Sequence, residues 1–243
     1  QQKFYVYSPN GEFIRSFNVP SYVREFRFFE DNILCFCGRN RGDNKDSFIL
    51  IDKSGHLLKS FPNEYQFKSK SGYGFTHENL FYVFNGKLFV KELCSESVYS
   101  FGNSGFQPHF IIDVGKKQVT PKVRSECDMI EISANYIQPI NLLEIGSFIY
   151  YAFVNKFVQG DVRIYGFIGS KKGNYQALID IGDGLTNDLD GGPDILPLTT
   201  KDDNTIVTLI EAFDLKKHVA SEAFKKSKPL YPEKKKELEK LAA

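Results

Sequence analysis

The chain has 243 residues, of which 42% are hydrophobic and 25% charged, a balance that excludes a disordered or collagen-like chain and fits one or two globular domains. The 31 Lys and Arg residues against 30 Asp and Glu leave a net charge of +1, so no overall field attracts nucleic acid or an anionic membrane. The 23 Phe and 13 Tyr residues favour β-strands.

A glycine-centred pattern recurs along the chain and predicts β-hairpins. The segment YVYSPNGEFIRSF around Gly11 matches ILIDKSGHLLKSF around Gly55 position for position, and looser copies surround Gly105 and Gly173. Each copy has an apolar or aromatic residue six positions before the glycine and another six positions after it. Because glycine reaches positive φ without a Cβ clash, each copy predicts a strand, a tight turn and a returning strand.

Pairs of further strand-like segments lie between the hairpins. We predict strands at Glu25–Phe29 and Ile33–Cys37, at Leu80–Asn85 and Lys87–Leu93, and at Asn141–Ile145 and Phe148–Val154. Four strands in each unit of about 40–50 residues are typical of β-propeller blades. A β-sandwich does not require one similar hairpin in every four strands, so the fold class predicted is an all-β propeller. The segment 116–132 is predicted to be an insertion that forms a loop.

The last part of the chain predicts two more strands and then helices. The strands are expected at Ile195–Thr199 and Thr205–Phe213. They either join the opening hairpin and close a four-bladed ring, or belong to a larger propeller. Leu215, Val219 and Ala223 lie at helical spacing, and Pro232 is placed to begin a second helix. We therefore expect blades over residues 1–214 and a helical segment over 215–243, packed on or inserted in the last blade.

The cysteines and the ends of the chain leave the cellular compartment open. Cys35 and Cys37 lie two positions apart in a predicted strand, where they share a face and are poorly placed to bridge each other. Single, scattered histidines lack the spacing of a zinc site, so buried free thiols are favoured. No run of about 18 apolar residues predicts a membrane span. The opening QQKFYVYSP is compatible with removal of a signal or lipid anchor.

With these motifs the sequence resembles the six-bladed β-propeller family of uncharacterised, secreted or lipid-anchored proteins from Gram-negative gut bacteria. The likeness rests on the glycine hairpins, on ESVYSFGNSGFQPHFIIDVGK, on NDLDGGPDILP (187–197) and on the tail YPEKKKELEKLAA. It implies a propeller in the periplasm or on the outer-membrane surface, with membrane attachment only through a removed N-terminal lipid anchor. Since about four of six blades are countable here, the resemblance predicts further N-terminal blades.

Two groups of residues are candidates for binding. Aromatic residues in the EYQFKSKSGYGF segment, Tyr65, Tyr73 and Phe75, together with His109, are predicted ligand contacts, although packing between blades is the alternative for each aromatic ring. Asn187, Asp188 and Asp190 precede Gly191 and Gly192 and predict a calcium-type site. The alternative is a tight turn in which these side chains bond nearby backbone N–H groups.

No catalytic motif accompanies these residues. The chain lacks a Gly-x-Ser-x-Gly elbow and a phosphate-binding loop order. The function expected is a non-enzymatic, extracytoplasmic binding or scaffold module for protein or glycan, with no cofactor other than the Ca²⁺ of that site. The alternative is a metal-assisted hydrolase or lyase working at the mouth of the propeller channel.

Overall fold

Strands dominate the computed structural model of the chain, which describes residues 2–38, 41–69, 74–181 and 184–242. The strands of the first half are β1 Lys3–Tyr7, β2 Phe13–Asn18, β3 Glu25–Phe29, β4 Asn32–Phe36, β5 Asp46–Asp52, β6 Leu57–Pro62, β7 Asn79–Phe84, β8 Lys87–Glu92, β9 Ser97–Gly102 and β10 Gly105–Ile111. Those of the second half are β11 Gln138–Ile145, β12 Phe148–Val158, β13 Asp161–Ser170, β14 Gln176–Asp180, β15 Thr199–Asp202 and β16 Thr205–Val207.

Consecutive strands lie side by side in every sheet. Strands β3–β6, β7–β10 and β11–β14 form three four-stranded sheets in sequence order, whereas β1–β2 and β15–β16 each form a two-stranded sheet. The all-β class and the grouping of strands in fours are thus confirmed. A closed ring of blades stays a prediction.

The chain divides into two compact units. The first comprises Gln1–Phe81, Gly86–Pro139 and Asn155–Asp161, and the second comprises Tyr82–Asn85, Ile140–Val154 and Val162–Ala243. The predicted helical segment belongs to the second unit, and its boundary at residue 214 stays a prediction.

Each predicted hairpin glycine lies at a turn with positive φ. Gly11, Gly55, Gly105 and Gly173 have φ of 84°, 91°, 96° and 71°. Except at the opening hairpin, the glycine turn joins the third and fourth strands of a four-stranded sheet. The repeat in the sequence therefore marks the outer hairpin of each sheet, whose turn holds a glycine at positive φ in all three sheets.

The two central strands of the sheet β3–β6, β4 and β5, are buried on both faces inside the first unit. One face packs Ile33, Cys35 and Ile51 against Val19 and Val23 from the segment after β2. The other face packs a second set against the sheet β7–β10, namely Leu34, Phe36, Phe48, Leu88, Val90 and Phe101. Side chains alternate between faces along a strand, so a strand with no polar face indicates a sheet covered on both sides.

The segment predicted as a loop at 116–132 is instead helical. After a 3₁₀ turn at Gly115–Lys117 come α1 Pro121–Glu126 and α2 Met129–Asn135. The side chains of Thr120 and Asp128 cap these helices: Thr120 accepts a hydrogen bond from the backbone N–H of Val123, and Asp128 accepts one from that of Glu131. The helices bury their own core, which includes Leu93, Val119 and Ile132. The prediction missed two short capped helices because neither is long enough to show a helical period.

The predicted strands near the C terminus need correction. Ile195 makes an isolated bridge with Leu185, and the strand that was expected to end at Thr199 begins there. The strand expected over Thr205–Phe213 ends at Val207. The helices that follow are α3 Ala212–Val219, α4 Glu222–Lys226 and α5 Pro232–Ala242. Ser221 separates the first two by capping the second, and Pro232 begins the last as predicted.

Candidate functional site

A cleft of about 240 Å³ opens in the first unit where the sheets β3–β6 and β7–β10 face each other. Its lining combines aromatic rings with two carboxylates: Ser47, Phe48, Phe61, Pro62, Glu64, Tyr65, Val90, Glu92, Tyr99 and Phe106. Leu88, Val90 and Glu92 share one face of β8 because side chains alternate along a strand. Leu88 and Val90 belong to the core, whereas Glu92 brings a carboxylate to the same face of the strand.

Aromatic rings form the walls of the cleft. The Phe106 ring centroid lies 4.9 Å from those of Phe48 and Phe61 and 6.4 Å from that of Tyr99. Phe48 is buried, whereas Phe61, Tyr65, Tyr99 and Phe106 are half-buried. The four half-buried side chains therefore keep part of their surface accessible.

Glu92 is the main polar group of the cleft. Ser47 Oγ donates a 2.7 Å hydrogen bond to Glu92 Oε2, and Ser47 is itself buried. Burial raises the pKa of Glu92 to about 7. The hydrogen bond from Ser47 lowers this pKa, whereas the negative charges of Glu64 and Glu78 raise it further. The Glu92 carboxyl thus changes charge in the neutral pH range.

A small chamber of about 30 Å³ adjoins the cleft and shares Ser47, Tyr65 and Glu92 with it. Glu78 and Cys94 also line this chamber, and burial raises the pKa of the Cys94 thiol to about 12. Its volume is about that of one water molecule in the liquid. The carboxyl of Glu92 therefore lies between an open cleft and a space large enough for a single solvent molecule.

A buried ion pair supports the far side of the chamber. Arg124 of α1 bonds Glu78 through Nη1–Oε2 at 2.7 Å and Nη2–Oε1 at 3.0 Å. Its guanidinium also lies 4.1 Å from the Phe67 ring centroid and 4.8 Å from that of Phe75. Arg24 Nη1 stands 3.9 Å from Glu78 Oε1. This cluster fixes the helical insertion to the sheet β7–β10.

The predicted ligand contacts are placed differently from one another. Tyr65 lines the cleft, and Tyr73 lies outside the described residues. Phe75 is 4% exposed and belongs to the core beneath α1 and α2, which is the packing role considered for it. His109 is exposed on β10, with its ring 4.6 Å from that of Phe89, and is not among the residues lining the cleft. Ligand contact by these residues stays a prediction.

Several cleft residues escaped the sequence analysis, above all Ser47, Glu92, Tyr99 and Phe106. The signal for Glu92 was present, since KLFVKE places a glutamate at an inward position of an otherwise apolar face. Contact between residues of different sheets has no local signal, so the cleft itself was not predictable.

The predicted calcium residues lie in a loop of the second unit. Asp190 Oδ1 accepts hydrogen bonds from Asn187 Nδ2 at 2.6 Å and from the Gly192 N–H at 2.8 Å. The backbone oxygen of Asp188 accepts a bond from the Leu230 N–H at 2.8 Å. Over residues 2–38, 41–69, 74–181 and 184–242, no group of three or more His, Cys, Asp or Glu side chains is arranged to hold a metal. Calcium binding here stays a prediction.

The second unit also contains a buried acidic group with local partners. Glu144, 2% exposed, accepts a 2.8 Å hydrogen bond from Tyr82 Oη and pairs with Lys171 Nζ at 2.6 Å. The Lys171 ammonium in turn lies 3.5 Å from the Phe84 ring centroid. Burial raises the pKa of Tyr82 above its usual range. Because the charge of Glu144 is balanced in place, this cluster has a structural role.

The described architecture is that of an all-β protein with a small aromatic and acidic cleft, and comparisons place it in a family. The chain belongs to the family called Domain of unknown function (DUF4934), which matches residues 1–242. This confirms the predicted resemblance in its coarse form, an uncharacterised family, while the six-bladed propeller of that resemblance stays a prediction. No curated protein matches the chain.

A solved structure shares the fold. The chain is similar to a candidate exported protein from Bacteroides fragilis NCTC 9343, with a TM-score of 0.56 and 16% identity over 74% of this chain and 52% of that one. The chain therefore spans about half the length of that protein. In the part of the chain that the structure describes, no helix combines the length and apolarity that a membrane crossing needs.

Proposed function

We propose that this protein is a non-enzymatic, extracytoplasmic β-propeller module that binds a glycan through the cleft between the sheets β3–β6 and β7–β10. Sheets of four consecutive strands, each ending in a glycine hairpin, support the propeller. The similarity to a candidate exported protein supports a location in the periplasm or on the outer-membrane surface. Fractionation of cells that express the full-length gene tests that location, and recovery of the protein in the cytoplasm would contradict it.

The composition of the cleft carries the proposal of a glycan. Half-buried rings at Phe61, Tyr65, Tyr99 and Phe106 offer flat faces against which the C–H groups of a sugar ring can pack. The carboxylates of Glu64 and Glu92 accept hydrogen bonds from hydroxyl groups. The cleft volume of about 240 Å³ lies below the roughly 300–1,000 Å³ of drug-sized sites, so it suits a single ring.

A monosaccharide panel followed by NMR or calorimetry tests this proposal. We expect at least one neutral sugar to bind, and Tyr99→Ala to weaken its binding about tenfold or more. Tyr5→Ala is the matched control, because Tyr5 is 60% exposed in the same unit and away from the cleft. Absence of binding by every sugar, or equal effects of the two substitutions, would contradict a glycan site.

A hydrolase or lyase is the second candidate, and the state of Glu92 favours it. A carboxyl with a pKa of about 7 near a second carboxylate is what a general acid requires at neutral pH. The metal-assisted form of this activity requires in addition that Asn187, Asp188 and Asp190 of the second unit bind calcium. Incubation with chromogenic glycosides, with and without calcium, separates the candidates. Turnover that is lost in Glu92→Gln would establish an enzyme, and the binding module predicts none.

A further inference from the structure

The lining of the cleft is acidic. Glu64 and Glu92 both line it, and no lysine or arginine does so among the residues of the described ranges. The ammonium of Lys59 lies 5.2 Å from the ring centroid of Phe61, one of the lining residues. Lys91, adjacent to Glu92, donates from its Nζ to the backbone oxygens of Ser95 at 2.8 Å and of Glu92 at 3.4 Å, and its positive charge lowers the pKa of the Glu92 carboxyl.

We propose that the cleft binds the ammonium group of a small organic cation, with Glu92 as its counter-charge and Tyr65, Tyr99 and Phe106 as its aromatic walls. The proposal rests on the cleft being a ligand site, as the proposed function holds, and names the chemical class of the group that enters it. Aromatic faces and a carboxylate together are the recognised environment of organic ammonium groups, which the ring quadrupole attracts.

The lining favours an organic cation over a metal ion. A hard metal ion requires about six oxygen ligands, whereas most of the lining here is hydrocarbon. An alkylated or primary ammonium is large, weakly coordinated and able to contact rings on several sides.

Binding of a cation is expected to depend on pH through Glu92. The groups that face this carboxyl are Lys91 and Cys94 next to it in sequence, Glu64 and Tyr65 after β6, Glu78 before β7, and Tyr99 across the cleft. A proton and an organic cation compete for the same carboxylate. Affinity should therefore rise as the pH increases through about 7 and level off above it.

Choline and 3,3-dimethylbutan-1-ol form the matched pair of probes, since they share shape and differ in a charged nitrogen against a neutral carbon. Titrations in phosphate buffer, which contains no amine, at pH 6 and pH 8 compare them. Because choline keeps its charge at both values, any change with pH originates in the protein. We expect choline to bind about tenfold more tightly than the alcohol at pH 8, with a smaller preference at pH 6.

Glu92→Gln and Glu12→Gln provide the variants. Gln keeps the size of the Glu92 side chain and a hydrogen-bonding oxygen for Ser47, so the fold should persist, which circular dichroism verifies. This variant should lose most of the preference for choline over the alcohol and show the same preference at both pH values, since only the aromatic rings and Glu64 then attract the cation. Glu12→Gln, at an exposed position outside the cleft, should behave as wild type.

The outcomes separate this inference from the proposed function. Equal affinity for choline and the alcohol in the wild type, or a charge preference in Glu92→Gln as large as in the wild type, overturns the ammonium site. If a neutral monosaccharide binds while choline does not, the glycan module stands and the ammonium site is wrong. If choline binds and no neutral sugar does, the glycan module is wrong and the ammonium site stands.

Discussion

The guanidinium of Arg124 donates hydrogen bonds to both carboxylate oxygens of Glu78, at 2.7 and 3.0 Å. The side chain of Arg124 is 2% exposed and that of Glu78 is 8% exposed. A planar guanidinium matches the two oxygens of a carboxylate, which makes this arrangement stronger and more directional than a single contact. It joins α1 to the segment before β7, two elements separated by more than 40 positions in sequence. The helical insertion is thereby fixed to the first unit by charge as well as by its apolar core.

Loss of Arg124 should destabilise the first unit strongly. Arg124→Met leaves the Glu78 carboxylate buried with only Arg24 nearby, and removing one partner of a buried pair costs roughly 3–5 kcal/mol. The additional change Glu78→Leu should recover part of that loss because no buried charge then remains. Urea unfolding followed by circular dichroism measures both.

An exposed pair in the same unit gives the control. Lys53 Nζ and Asp31 Oδ1 also lie 2.7 Å apart, but their side chains are 54% and 94% exposed. Lys53→Met should therefore cost less than about 1 kcal/mol. Equal losses for Arg124→Met and Lys53→Met would show that burial does not determine the strength of the Glu78 pair.

Stability should fall as the pH rises from about 4.5 to about 7, the pKa of Glu92 in the folded state. The folded state holds this proton with a pKa of about 7, against an ordinary value of 4.5, so its favourable contribution is fully present below about pH 4.5 and is lost by about pH 7. The difference is at most about 3 kcal/mol. Glu92→Gln should abolish this part of the pH dependence and make the protein more stable than wild type at pH 8.

Unfolding midpoints in urea at pH 5 and pH 8 measure this effect. Glu12→Gln, at an exposed site, should follow the wild type at both pH values, within about 0.5 kcal/mol. A wild-type protein that is as stable at pH 8 as at pH 5, with Glu92→Gln unchanged from it, would mean that Glu92 remains ionised throughout this range.

Two of the hairpin glycines should differ in their tolerance of a side chain. Both Gly11 and Gly55 have positive φ, so replacement by alanine strains either turn by roughly 1–2 kcal/mol. A Cβ at Gly11 would meet nothing within 4 Å, whereas one at Gly55 would lie 2.5 Å from the backbone oxygen of Asn18. Gly55→Ala should therefore lower the free energy of unfolding clearly more than Gly11→Ala. Indistinguishable unfolding curves would show that the turn at Gly55 can shift away from Asn18.

These glycines show which part of the fold the sequence could predict. A tight turn between strands restricts the residue at its corner, so the constraint is local and recurs in every copy. The helices at 121–135 were missed because their stability depends on caps at Thr120 and Asp128 and on burial of Ile132, which periodicity over a short segment does not reveal. The strand predicted at Ile195–Thr199 failed because its apolar residues make a single bridge to Leu185 instead of a ladder.

The loop of Asn187, Asp188 and Asp190 allows a direct test of the calcium prediction. Asp190 Oδ1 already accepts bonds from Asn187 and from the Gly192 N–H, so the loop has an internal source of stability. A turn without a metal predicts that Asp190→Ala costs about 1 kcal/mol and that the melting temperature is equal in calcium and in EGTA. A melting temperature that rises with calcium in the wild type but not in Asp190→Ala would establish the metal site.

The cleft was less predictable than the loop. Tyr65 could be selected because an aromatic residue among polar neighbours in a predicted loop is conspicuous. Ser47 and Glu92 are 45 positions apart in the sequence and lie in different sheets, where a 2.7 Å hydrogen bond connects them. A local sequence pattern does not indicate such a long-range contact. Only the inward position of Glu92 in KLFVKE carried a signal, and it required knowledge that Leu88 and Val90 face a second sheet.

Phe106 has a double role that bears on how the cleft can diversify. Its ring contacts Phe48, Phe61 and Phe101, so the side chain that forms a wall of the cleft is also a member of the core. Changes at that wall would disturb folding, whereas Pro62 and Glu64 at the rim are exposed and free of this constraint. Evolution of a new preference would thus proceed at the entrance, and an incoming molecule meets walls that lose little rotamer freedom on contact because the core already orders them.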